Sequence, residues 1–101
     1  MIKVEKWNKK EKLDVFKLVK ELEKEGWNTY TFESYPGSYY DNHSHEDDEL
    51  RILLEGSMRF GADGKTVDLE PGDRILVTKG TVHWAEVIGN EKTVLLSASK
   101  K

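Results

Sequence analysis

Apolar residues recur along this chain with two different periods, and the change of period divides it into elements. At the N-terminus Ile2 and Val4 alternate with Lys3 and Glu5, which predicts a short strand within residues 1–7. Val15, Leu18, Val19 and Leu22 then fall on one helical face, widened by Phe16. Asn8 followed three residues later by Glu11 reads as a capping box, and Gly26 is a suitable stop. These signals predict one amphipathic helix over residues 9–25, its stripe packed against the rest of the domain. Beyond Gly26 the period falls to two. The runs NTYTFESY, LRILLEGSMRF, KTVDLE, DRILVTK, TVHWAEVI and KTVLLSAS are separated by turn residues. Asp63-Gly64 suits a two-residue hairpin, Pro71-Gly72 a type II turn, and Gly89-Asn90 a further hairpin. The pattern predicts an all-β antiparallel sandwich or barrel over residues 28–99, in a single domain spanning 1–101.

One run carries a conflict. Leu50, Ile52 and Leu54 share one face of the predicted strand and Glu49, Arg51 and Leu53 the other, so both faces are partly apolar. That suits a barrel wall covered outside by the helix or a second subunit, but it sends Glu49 and Arg51 inward. A buried carboxylate and guanidinium are costly unless paired or coordinated. Among the aromatics, Tyr39 and Tyr40 are read as packing residues. Trp84 is expected to face outward, under the helix or in a dimer interface, and Trp7 and Trp27 to seal the helix ends.

Composition narrows the function classes. A chain of 101 residues supports one core, and a net charge of −3 with 35% charged residues gives neither a basic face for nucleic acid nor an acidic tail. The absence of cysteine removes disulfides and thiolate metal sites, and no apolar run reaches the length of a membrane span. The expectation is a cytoplasmic protein with a small-molecule ligand or substrate and neither nucleic acid nor membrane as partner.

The chemistry is concentrated in Gly37–Gly56 and around His83. On a strand, residues two apart point the same way, so His43 and His45 can meet one cation while an acid on the neighbouring strand closes the site. His83 enters a strand with the small apolar Ala85 and Val87 at matching parity, which places every histidine of the chain in one constellation. The segment Gly37, five residues, His43-Ser44-His45, three residues, Glu49, six residues, Gly56 resembles the first motif of the cupins. The second cupin motif resembles Gly72, Gly80 and His83, with Thr78 in place of its proline and Val87 in place of its asparagine. The resemblance implies a double-stranded β-helix, a jelly-roll-like barrel usually paired as a homodimer, with His43, His45, Glu49 and His83 as metal ligands. Within the family, HSHEDDELRILLEG is locally similar to acireductone dioxygenases, and Arg51 matches an arginine there.

Three imidazoles and one carboxylate suit a divalent transition metal (iron, manganese, nickel, cobalt, copper or zinc) better than magnesium or calcium, and leave two positions of an octahedral ion open. Arg51 then has two readings, a clamp for a substrate anion or an internal salt bridge to Glu49. Function has two readings as well. One is a metal-dependent dioxygenase-like enzyme, or an isomerase, acting on a small oxygenated molecule; the other is a non-catalytic binding or sensor barrel. No general base separate from the ligands is evident.

Overall fold

The period-two alternation becomes nine strands in the computed structural model, which describes residues 1–8 and 11–100. These are β1 (Ile2–Glu5), β2 (Asn28–Ser34), β3 (Tyr39–His43), β4 (Asp48–Glu55), β5 (Met58–Ala62), β6 (Lys65–Leu69), β7 (Arg74–Val77), β8 (His83–Val87) and β9 (Thr93–Lys100), with one helix, α1 (Val15–Lys24), between the first two. Every pairing is antiparallel. One sheet runs β1-β7-β4-β9-β2 and the other β3-β8-β5-β6. The chain changes sheet after β4 at Gly56, where a Cβ would lie 2.5 Å from Thr93 Oγ1 and the φ of 83° belongs to the left-handed region. Only glycine fits that corner.

The two-sided strand works as its pattern predicts. Leu53 joins Met58, Phe60, Leu69, Ile75, Val77, Ala85 and Leu95 in the core between the sheets. Leu50 and Ile52 face the other way and pack with Leu22, Leu96 and Ala98, with Leu18, Val19, Trp27, Leu54 and Leu76 around them. The helix therefore covers the outside of the five-stranded sheet. This two-layer, jelly-roll-like arrangement is the double-stranded β-helix.

The helix is shorter than its apolar stripe implies. It starts at Val15 rather than near residue 9, because Asp14, not Asn8, supplies the cap: its Oδ1 accepts from the Lys17 N–H at 3.1 Å. The stretch before it is tied elsewhere, with the Trp7 N–H and Lys6 Nζ both bonded to the Asp73 carboxylate. Lys9 and Lys10 lie outside the described residues. Phe16 does not widen the buried face; it is 70% exposed, with Lys20 Nζ 4.6 Å from its ring centroid. Gly26 does end the helix, in a Schellman motif where Trp27 N–H reaches the Leu22 carbonyl and Gly26 N–H that of Glu23.

Two turns form where expected, Asp63-Gly64 between β5 and β6, and Pro71-Gly72, where Asp73 N–H reaches the Glu70 carbonyl at 2.9 Å. Gly89-Asn90 is not a hairpin: β8 and β9 belong to different sheets, so this turn carries the chain across the barrel.

Candidate metal centre

His43 is the last residue of β3 and lies directly opposite His83, the first of β8. His45 is not on a strand, contrary to the alternation argument. It sits in the loop between β3 and β4, tied by its carbonyl to the Gly80 N–H at 2.9 Å. The imidazoles converge all the same. Ring centroids are 4.9 Å apart for His43 and His45, 4.2 Å for His43 and His83, and 5.1 Å for His45 and His83. One nitrogen from each lies within 4.8 Å of the others.

Backbone carbonyls fix which nitrogen of two rings points inward. A carbonyl only accepts, so His43 Nδ1–H donates to Asp41 O at 2.6 Å and His83 Nδ1–H to Thr81 O at 2.9 Å. In the neutral tautomer that these bonds select, the lone pair is on Nε2. His45 Nε2 is buried with no hydrogen-bond partner, an expensive arrangement for a polar atom unless something fills it. Burial holds both His45 and His83 below the ordinary histidine value; for His45 the Glu49 carboxylate pulls the other way while His43 and Arg51 add to the depression. For His83 the carbonyl of Thr81 opposes burial, and His43, His45 and Arg51 reinforce it. Neutral imidazoles with free Nε2 atoms are what a transition metal binds.

Glu49 is buried, as its parity predicts, but its carboxylate is engaged by Arg51, whose Nη2 donates to Oε1 at 2.8 Å. Arg51 Nη1 also donates to the Leu50 carbonyl. The internal salt bridge is thus the arrangement present, and the group of converging ligand atoms comprises His43, His45 and His83. Both Glu49 and Arg51 remain near enough to shift His45. Around them, Asp48 Oδ1 accepts from Lys79 N–H at 2.9 Å, pinning the loop that leads to His83. Thr78, where the resembling motif has proline, holds that same loop by hydrogen bonds, its hydroxyl 2.9 Å from that of Thr81. The hydroxyls restrain the turn in place of a pyrrolidine ring.

The aromatics divide. Tyr40 packs on the barrel core, with its hydroxyl 2.6 Å from Ser34 Oγ, while Tyr39 is exposed and stacks on Trp84 at 6.0 Å. Trp84 does face outward, but over Gly61 rather than beneath the helix, which covers the opposite sheet. Trp27 seals the helix end; Trp7 instead covers the turn at Gly72. A groove of about 870 Å³ lined by Asn42, Gly61, Thr66, Lys79, Val82 and Trp84 includes none of the three histidines. Tyr30, Phe32 and Ser97, not singled out from the sequence, share the interior face of the first sheet with Arg51. The alternation in NTYTFES was the available signal.

A family model described as cupin domain matches residues 30–99. No curated protein matches the chain. Among solved structures, the chain resembles the DMSP lyase DddQ from Ruegeria pomeroyi DSS-3 (TM-score 0.68, 24% identity, covering 74% of this chain and 38% of the lyase). It is also similar to a cupin-like protein from Thermotoga maritima MSB8 (TM-score 0.66, 25% identity, 73% of this chain and 56% of that one). A third likeness is to an oxalate decarboxylase (TM-score 0.67, 26% identity, 74% of this chain and 22% of the enzyme). In all three the chain spans less than two thirds of the similar protein's length.

Proposed function

Because this chain belongs to the cupin domain family and gathers three imidazoles at one end of its barrel, we propose that it holds a divalent transition metal and acts through it on a small oxygenated molecule. The observation that carries the reading is the buried, unpartnered His45 Nε2 beside two rings whose Nδ1–H groups are already spent on carbonyls. His43, His45 and His83 supply three nitrogens and Glu49 the carboxylate. Glu49, buried and paired with Arg51, would have to turn its carboxylate to the ion to complete that set. Such an ion would supply Lewis acidity and a template for an oxygen-donor ligand. Arg51 then serves two ends, holding Glu49 and presenting its remaining N–H donors to an anionic group of the substrate.

The reaction proposed is dioxygenase-like, resembling acireductone dioxygenase in the segment from His43 to Gly56. The names of two similar structures, a lyase and a decarboxylase, support a small-molecule substrate within this fold. A specific observation favours the second reading, a binding or sensor barrel: all three histidines point into the metal group, leaving none as a separate general base. The protein is further proposed to be a cytoplasmic homodimer, checked by sedimentation velocity.

Elemental analysis of untagged protein purified without nickel resin or chelators tests the centre. Near one metal per chain is expected, falling sharply in His45→Ala and Glu49→Ala with circular dichroism unchanged; wild-type retention in both variants overturns the ligand set. Oxygen consumption with enediols, diketones and phenolics then separates turnover from binding.

A further inference from the structure

Strand β2 sends Tyr30 and Phe32 toward the space between the sheets. Phe32 lies opposite Leu95, itself opposite Leu53; Tyr30 lies opposite Ser97, itself opposite Arg51. Residues opposite one another in a sheet share a face, so these aromatics stand in the same interior rows as core leucines and Arg51. Their exposure is nevertheless unlike the core's. Leu53 and Leu95 are 0% and 3% exposed, whereas Phe32 is 41% and Tyr30 49% exposed. Interior-facing rings that solvent reaches mark an opening between the sheets.

Its position follows from the topology, since β2 and β3 are edge strands of different sheets. Tyr40 bridges them at one level, hydrogen-bonded to Ser34 and edge-on to Phe32 with centroids 6.0 Å apart. Further along β3 come His43 and the other imidazoles, and on the opposite wall Arg51, two of whose five N–H donors are engaged by Glu49 and Leu50. The opening thus has a cation and three nitrogen ligands inside and two aromatic faces at its lip.

The geometry points to a substrate that joins an anionic oxygen head to a flat apolar tail, entering between β2 and β3. The head lies between the imidazoles and Arg51, and the tail covers Tyr30 and Phe32. A small anion alone would leave both rings in water, whereas an aromatic tail removes their faces from solvent and gains ring–ring contact. This specificity wall rests on the metal reading above and adds to it the class of substrate.

Lactate and mandelate separate the two ideas, because they share a 2-hydroxy acid head and differ by a methyl against a phenyl. Calorimetry on zinc-loaded protein is expected to give mandelate roughly tenfold tighter binding than lactate, corresponding to ~1.4 kcal/mol. Tyr30→Ala and Phe32→Ala should each remove about three- to tenfold of that preference. Zinc per chain and lactate affinity should stay unchanged in both, and Arg51→Gln should weaken both acids. Equal affinity for the two acids, binding of neither, or a preference indifferent to both aromatic variants overturns the specificity wall while zinc content still supports the metal site. A chain that takes up no zinc overturns the metal reading and this inference with it. Dissociation of a dimer in Tyr30→Ala with the preference intact assigns these rings to a subunit interface and also overturns the wall.

Discussion

The histidines show how one side chain's environment sets its chemistry. Desolvation keeps His45 and His83 neutral to lower pH than a free imidazole, whose value is near 6.5. As pH falls through that ordinary value, the unfolded chain takes up protons that the folded chain refuses, so stability declines with falling pH and levels off below the folded values. Metal-free protein should therefore show a falling urea midpoint from about pH 7.5 to pH 5, and His45→Gln should flatten part of that slope. An identical slope in the variant would remove burial of His45 as its cause. The sequence disclosed the identity of these three residues through spacing. What it did not disclose is the part played by the carbonyls of Asp41 and Thr81, since backbone acceptors carry no residue-type signal.

At the scale of elements, short-range signals were legible wherever the partner was nearby in sequence. Gly26, Asp63-Gly64 and Pro71-Gly72 act locally and are legible in the sequence; the helix start is not, because Asp73 holds Lys6 and Trp7 from more than sixty residues away. Burial opposes ionisation of Asp73, but the N–H groups of Glu70 and Trp7 and the ammonium of Lys6 outweigh it and hold its carboxyl below the usual range. Its contribution is present above the unfolded carboxyl value and is lost as pH falls through the lower folded one. Asp73→Asn should cost about 1–3 kcal/mol at neutral pH and give a shallower acid limb, read from denaturant midpoints against pH. A second element-level test concerns β5, where a Cβ on Gly61 would lie 2.1 Å from the Trp84 indole. Gly61→Ala should lose roughly 1–3 kcal/mol, most of it absent when Trp84→Ala is already in place. Additive losses would show that the indole is not what the glycine accommodates.

For the whole molecule, the three histidines join β3, the loop after it and β8, and Glu49 as the proposed fourth ligand would add β4 of the other sheet. Anything that binds only the folded state stabilises it by mass action, about 2.7 kcal/mol at a hundredfold excess over the dissociation constant. For a domain of this size that is a rise of roughly ten degrees or more in Tm. Zinc or cobalt added to metal-free protein should produce it in the wild type and not in His83→Ala; an equal rise in both would place the ion elsewhere. The sequence by itself determined the fold class, the two-sided character of β4 and the family resemblance, because alternation and motif spacing are local properties. Only the tertiary structure decided that His45 reaches the other two histidines from a loop, that Arg51 engages Glu49, and that Tyr30 and Phe32 stay exposed on an interior-facing row. Each of these depends on which strands become neighbours and which edges stay unpaired, and such distant pairings are fixed by the burial of the core as a whole.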